Sequence, residues 1–113
     1  FAEAVDALEG VSFDDEIVGA IAKGALGDAY FELRDVDKAI SNYKAAISHS
    51  DNDFTTPLYL KKLAIAHETA YKAEGGNESD LNNAIAAYTQ IKEDHPTSAE
   101  AQGVDKFIAS LKK

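Results

Sequence analysis

The sequence predicts an all-α chain built from stacked helical hairpins. Three observations carry this. Every long segment places its apolar residues at helical intervals. One spacing occurs twice: Ala39-Ile40-x-x-Tyr43-x-x-Ala46 returns as Ala84-Ile85-x-x-Tyr88-x-x-Ile91, and a weaker copy, Ala4-Val5-x-x-Leu8-x-x-Val11, opens the chain. Alanine is abundant and there are only two prolines, which favours helix. Self-similarity of this kind means stacked units, each unable to bury its apolar face alone. It points to an interaction scaffold and tells how the chain binds, not what it binds.

The elements follow in order. Ala4, Val5 and Leu8 mark a short first helix ending near Gly10. Ser12 can cap the next, with Asp14, Asp15 and Glu16 in its first turn complementing the helix dipole. Its stripe is Ala22, Ala25, Leu26, Ala29, Tyr30 and Leu33. Asp35 then caps a helix whose face is Val36, Ala39, Ile40, Tyr43, Ala46 and Ile47. The polar run Ser48 to Thr56 is a loop. Thr56-Pro57 opens another helix, with proline where its missing N–H does no harm. Leu60, Leu63, Ala64, His67 and Tyr71 form its stripe, and Gly75-Gly76-Asn77-Glu78 breaks it. Ser79 or Asp80 caps the following helix, carried by Leu81, Ala84, Ile85, Tyr88 and Ile91 and stopped by Pro96. Thr97-x-x-Glu100 has the form of a capping box for a last helix with Val104, Phe107, Ile108 and Leu111. The count is six helices.

With 113 residues the chain is one domain, large enough for a real core. Apolar residues make up 45% and charged residues 27%, an ordinary balance for a soluble domain. No run approaches the roughly 18 apolar residues that a membrane helix needs, and no signal peptide is expected within these residues. The chain opens at Phe1 and contains no methionine, so a fragment or a processed form is expected. The absence of cysteine removes disulfides and thiolate metal sites and fits an oxidising compartment as well as the cytosol. The net charge of −9 is uneven: residues 1–37 carry ten acids and two bases, giving −8, and residues 38–113 carry ten acids and nine bases, giving −1. A nucleic-acid binder needs a basic face to displace counterions, and none is visible. The acidic third is a solvated surface or a docking face for a basic partner segment.

Leu26-Gly27-x-x-Tyr30, followed by Ala39, Tyr43 and Ala46, resembles one complete tetratricopeptide repeat (TPR), a helix–turn–helix unit of about 34 residues. Leu60, Leu63-Ala64, Ala84, Tyr88 and Pro96 resemble a second. This second copy departs from the pattern. Its halves stand about eight residues too far apart, the excess lying around Lys72 to Ser79, and His67 stands where the pattern prefers Tyr. The resemblance implies a right-handed α-solenoid of about 2.5 TPR hairpins with a C-terminal capping helix. Residues 1–11 would be the second helix of a truncated repeat and residues 12–50 a repeat. Residues 56–95 would be a repeat with a long loop between its helices, and residues 97–112 the cap. Three segments, 23–30, 52–62 and 105–109, also resemble the C-terminal half of bacterial YfgM-like repeat proteins. That resemblance implies a periplasmic domain behind an N-terminal membrane anchor, absent here, linked to the secretion translocon and to periplasmic chaperones. A cytoplasmic setting is the alternative.

Several near-motifs carry no chemistry. Gly19 to Lys23-Gly24 lacks the Lys-Ser/Thr of a phosphate-binding loop and is followed by Ala25 and Leu26. Gly19, Gly24 and Gly27 instead imply that bulk is excluded along one helix, with Gly24 leaving the groove open. His67-Glu68-x-x-Tyr71 has Tyr71 where a zinc protease has its second histidine, so His67 is expected in a core or an interface. Histidines 49 and 95 fall at helix ends, where they complement the dipole. Asp51-x-Asp53 begins like a calcium loop but has Thr56 and Lys62 at key places, so it reads as turn and cap. Asn77-Glu78-Ser79 is a glycosylation sequon, relevant only in a eukaryotic secretory setting. No cofactor, metal cluster or nucleophile–base pair is expected, and the chain is read as a non-enzyme.

In the tetratricopeptide family the first helix of each hairpin lines the concave face. Transferring those positions gives a partner-binding groove of Ile21, Gly24, Asp28, Phe31 and Glu32 from one repeat and Leu58, Lys61, Ile65, Glu68 and Thr69 from the other. Phe31 and Ile65, off the packing stripes, are the expected anchors. Asp28 and Glu68 are the expected charges that tune association. The groove would suit an amphipathic or basic segment of a protein or peptide partner. Nucleic acid is not an expected partner, and membrane contact would come only through the missing anchor. The alternative is a structural module that packs against the N-terminal half or forms a homo-oligomer.

Overall fold

The computed structural model describes residues 15–73 and 75–112. The expected helix over Ala4–Leu8 and the Ser12 cap lie outside the described residues. Five α-helices follow in order: α1 Asp15–Glu32, α2 Val36–His49, α3 Thr56–Lys72, α4 Glu78–Asp94 and α5 Val104–Leu111. A short 3₁₀ helix, Ala99–Ala101, precedes α5, and there is no strand among the described residues. Each helix packs on its neighbour in the chain, α1 on α2, α2 on α3, α3 on α4 and α4 on α5. The molecule measures 45 × 33 × 18 Å, its short dimension about two helix diameters. None of these helices is long and apolar enough to cross a membrane.

Local chemistry sets the boundaries. Asp15 and Glu16 lie in the first turn of α1, where the dipole favours acids. At its other end the Asp35 N–H donates to Tyr30 O at 2.9 Å and the Arg34 N–H to Phe31 O at 3.0 Å. These bonds require a left-handed residue between helix and cap, and Arg34 supplies it with φ 67. Asp35 then caps α2, its carboxylate accepting from the Lys38 N–H at 3.2 Å. The stripe of α1 stops short of the expected Leu33, which lies past the last turn and is exposed.

The turn before α3 is organised by Asn52, which the sequence did not single out. Its Oδ1 accepts from the backbone of Phe54 at 2.8 Å and of Thr55 at 2.7 Å. Its Nδ2 donates to Ser50 Oγ at 3.0 Å and to Thr55 Oγ1 at 2.8 Å. Asp51, expected as a turn residue, accepts from Thr56 Oγ1 at 2.9 Å.

Three expectations about ends need correction. Asn77, not Ser79 or Asp80, caps α4, with its side chain accepting from the Asp80 N–H at 3.1 Å. Thr97-x-x-Glu100 does not open the last helix. Ser98 caps the 3₁₀ helix, and α5 begins only after Gly103, whose φ of 77 interrupts the helical path. The excess spacing of the second hairpin is mostly helix rather than loop. Relative to their conserved spacing, α3 runs three residues further past Leu63 than α1 does past Leu26, and α4 starts three residues earlier before Ala84 than α2 does before Ala39. Only two extra residues enter the connection, which runs over residues 73–77 against residues 33–35 in the first hairpin.

Two apolar clusters hold the stack. One joins α2 and α3 through Ala39, Ile40, Tyr43, Ala46, Tyr59, Leu63 and Ala66. The other joins α3, α4 and α5 through Leu60, Ala64, Ala87, Tyr88, Ile91 and Val104. Helix α3 therefore gives two different faces to two cores, and Ile47 of α2 packs against both. His67 is buried on α3, its Nδ1 donating to Asp80 Oδ1 of α4 at 2.9 Å. At the other end of α4, His95 donates in the same way to Asp53 at 3.0 Å. Both ends of α4 are thus tied back to α3 or to the turn that leads into it.

Candidate functional site

Helices α1 and α3 run side by side in one direction. Three successive contacts show this. Gly24 lies under the ring of Tyr59, Asp28 bonds to Lys62, and Phe31 and Ile65 line one groove. The offset is 35, 34 and 34 residues. The groove between the helices has a volume of about 450 Å³ and is lined by Asp28, Phe31 and Glu32 of α1, Tyr43 of α2, and Lys62 and Ile65 of α3. Phe31, Ile65 and the ring of Tyr43 make most of its lining apolar.

The expected groove residues divide. Asp28, Phe31, Glu32 and Ile65 come together around this one space. Gly24 does not line it. It is buried, and a Cβ there would overlap the Tyr59 ring, so the absent side chain admits an aromatic from α3 rather than leaving the groove open. Lys61 and Glu68 turn towards the other neighbour of α3: the Lys61 ammonium sits 5.8 Å from the centroid of Phe107 in α5, and Glu68 accepts from the Tyr88 hydroxyl at 3.3 Å and from Lys72 Nζ at 3.1 Å. Thr69 Oγ1 donates to Ile65 O within its own helix at 2.8 Å and borders a separate cavity between the two hairpin turns. Leu58 is exposed on α3 and Ile21 half-buried on α1. Neither lines the groove.

Phe31 is also a packing residue. It is half-buried against the α2–α3 cluster, so the expectation that the fold makes no use of it is corrected. Ile65, 40% exposed, is the freer of the two.

Charge in the groove is internally matched at Asp28. Both carboxylate oxygens accept from Lys62 Nζ at 2.8 Å, and Oδ1 also accepts from the Tyr43 hydroxyl at 2.6 Å. Burial pushes the Tyr43 phenol well above its ordinary range, and the Asp28 hydrogen bond adds to it. Tyr59, stacked on Tyr43 with centroids 6.3 Å apart, is pushed up by burial and then by the Asp28 charge. In the second hairpin Tyr88 is pushed up to about 12, by burial first and Glu68 second.

Lys62 and Tyr43 are the site residues that sequence reasoning missed. Tyr43 was placed in the core stripe, which is correct for its ring but not for its hydroxyl. Lys62 had a signal available: it stands 34 residues after Asp28, the same offset that separates Phe31 from Ile65. Among the described residues no group of three or more His, Asp or Glu is placed to hold a metal ion. The two buried histidines are each committed to one aspartate. The arrangement offers noncovalent contact: a mostly apolar lining and a carboxylate–ammonium bridge. Comparison with protein-family models, with curated proteins and with solved structures gives no match.

Proposed function

We propose that this chain is a peptide-binding scaffold of the tetratricopeptide kind, and that the groove between α1 and α3 takes a segment of a protein partner. The observation that carries the reading is the groove itself: two first helices in one direction, 34 to 35 residues apart, with Phe31 and Ile65 in its apolar lining. That offset is the repeat length of the family. The width of the groove is held from within, because Tyr59 seats on Gly24 at one end and Lys62 bridges to Asp28 beside it. A preformed groove binds without the entropic cost of ordering its walls. Apolar anchors in such a site carry most of the affinity. A role in assembly, secretion or chaperone-linked complexes of a bacterial envelope is part of the proposal and rests on the resemblance of segments 23–30, 52–62 and 105–109.

The test uses an array of amphipathic and extended peptides, with binding read by fluorescence anisotropy. Ile65→Ala is the decisive variant because Ile65 is largely outside the core. Binding should weaken by roughly tenfold or more with little change in melting temperature. Unchanged binding would move the site to another face. Phe31→Ala should lower both binding and melting temperature, since Phe31 serves both.

A further inference from the structure

The charges near the groove are unequal in what they can still do. Asp28 accepts three hydrogen bonds from Lys62 and Tyr43. Lys62 gives its ammonium to both oxygens of that carboxylate and has little left for an anion. Glu68 accepts from Tyr88 and Lys72, away from the groove. Lys38, on the near end of α2, pairs with Asp35 and lies 5.4 Å from the centroid of Tyr30. Glu32 differs from all of these. It is exposed at the groove, one residue past Phe31 and one helical turn past Asp28, and it forms no ion pair or hydrogen bond with the described residues. It lines the same space as the Tyr43 ring, Phe31 and Ile65.

Resting on the peptide-binding reading above, we infer that Glu32 reads a cation on the partner. The occupant is an amphipathic segment that seats an apolar residue between Phe31 and Ile65 and carries a lysine or arginine next to that anchor. Charge complementarity selects this occupant over an acidic one. The groove's internal pair is neutral, its residual charge is the single negative of Glu32, and the whole chain carries −9. An acidic segment would meet Glu32 with like charge, and Lys62 could answer it only by leaving Asp28. Asp28 and Glu68, expected from the sequence to tune association, act instead as internal ties. Affinity and charge preference thus reside on different residues, which makes them separable.

The experiment uses the whole chain and three fluorescein-labelled helical peptides of about 16 residues, identical except at one site. Each has a leucine face, and the site one turn from the central leucine is lysine, glutamine or glutamate. Anisotropy is measured at low and high salt. The lysine peptide should bind roughly five- to tenfold tighter than the glutamate peptide at low salt, with the preference shrinking at high salt. Glu32→Gln should cut that preference to about twofold or less while keeping affinity for the glutamine peptide. Retention of the full preference in Glu32→Gln overturns this inference and leaves the groove reading intact. A glutamate peptide that binds the parent as well as the lysine peptide does the same. Binding of all three that is insensitive to Ile65→Ala, or no binding of any, overturns the groove reading and this inference with it. Glu32 is exposed and holds no partner, so the variant should fold with an unchanged melting temperature.

Discussion

The two hairpins solve one problem in different ways. In each, a tyrosine of the second helix donates its hydroxyl to an acid of the first: Tyr43 to Asp28 at 2.6 Å, Tyr88 to Glu68 at 3.3 Å. In the first hairpin the acid is also gripped by Lys62 of the next hairpin, and the tyrosine ring stacks on Tyr59 from the same helix. In the second hairpin the acid finds only Lys72 of its own helix, and the tyrosine ring stacks on Phe107 of the short α5, with centroids 5.4 Å apart. The first hairpin is completed by the first helix of the second. The second is completed by a helix of eight residues. The difference separates two roles: both tyrosines have an aromatic cover, Tyr59 or Phe107, but among the described residues only the first hairpin's acid has a cation from another helix.

The largest expected effect that tests this contrast is alkaline. Tyr43, Tyr59 and Tyr88 hold their protons more tightly in the fold than at the ordinary value of 10.0. Above about pH 10 the unfolded chain therefore binds fewer protons than the folded one. Stability is full below that pH and falls as pH rises through the folded-state values, by up to about 1.4 kcal/mol per pH unit for each tyrosine. Tyr43→Phe should remove more of this sensitivity than Tyr88→Phe, because burial first and the close Asp28 acceptor second hold its phenol further above the ordinary range. Urea unfolding at about pH 8 and again just above pH 12 checks it, because below the folded value of Tyr88, about 12, both phenols keep their protons in the fold and lose nearly the same stability. Equal alkaline losses in the two variants would erase the distinction between the hairpins.

A smaller effect separates the two acids. Asp28→Asn weakens a bidentate contact between hairpins and should cost about 1 to 2 kcal/mol, a figure discounted because the carboxylate is partly solvated. Glu68→Gln should cost about 0.5 kcal/mol. Chemical denaturation of both variants in parallel decides the order, and a reversed order would break the comparison.

The last contrast concerns the two turns. Arg34 and Gly75 both have positive φ, 67 and 82, but only glycine adopts it freely. Arg34→Gly should stabilise the chain by up to about 1 kcal/mol, and Gly75→Ala should destabilise it by about the same amount. Space is not the issue at Gly75, where a Cβ would meet no atom within 4 Å. Thermal melts should shift by about 4 °C in opposite directions. Two shifts of the same sign would remove the backbone argument.

Helical periodicity made the packing legible. Ala39, Ile40, Tyr43, Ala46, Leu60, Leu63, Ala64, Ala84, Tyr88 and Ile91 are all buried, as their spacing requires. The burial of His67 followed from the same stripe. Helix ends were less legible, because several residues near each boundary can cap. Asn77, Ser79 and Asp80 all have suitable side chains, and the choice falls to Asn77 because Asp80 faces His67. The second hairpin's extra residues looked like loop because glycines lie among them, yet longer helices on both sides absorb most of them. Glu32, Phe31 and Ile65 could be placed by register along α1 and α3. The state of Asp28 could not, since it depends on Lys62 from another hairpin and on a hydroxyl whose ring belongs to the core.

Because α3 faces both apolar clusters, the boundary between the cores of this chain does not coincide with the boundary between its hairpins. Tyr59, Leu63 and Ala66 complete the cluster begun by Ala39, Ile40 and Tyr43, while Leu60 and Ala64 begin the next. Excising one hairpin, or grafting it elsewhere, would take half of a core and leave the other half behind. The smallest portable unit is a hairpin together with the first helix of its successor. Duplication or loss of material in such a chain keeps a sealed interior only when it proceeds from one α1-like helix to the next, so that each inserted unit inherits the same half-core at both of its seams.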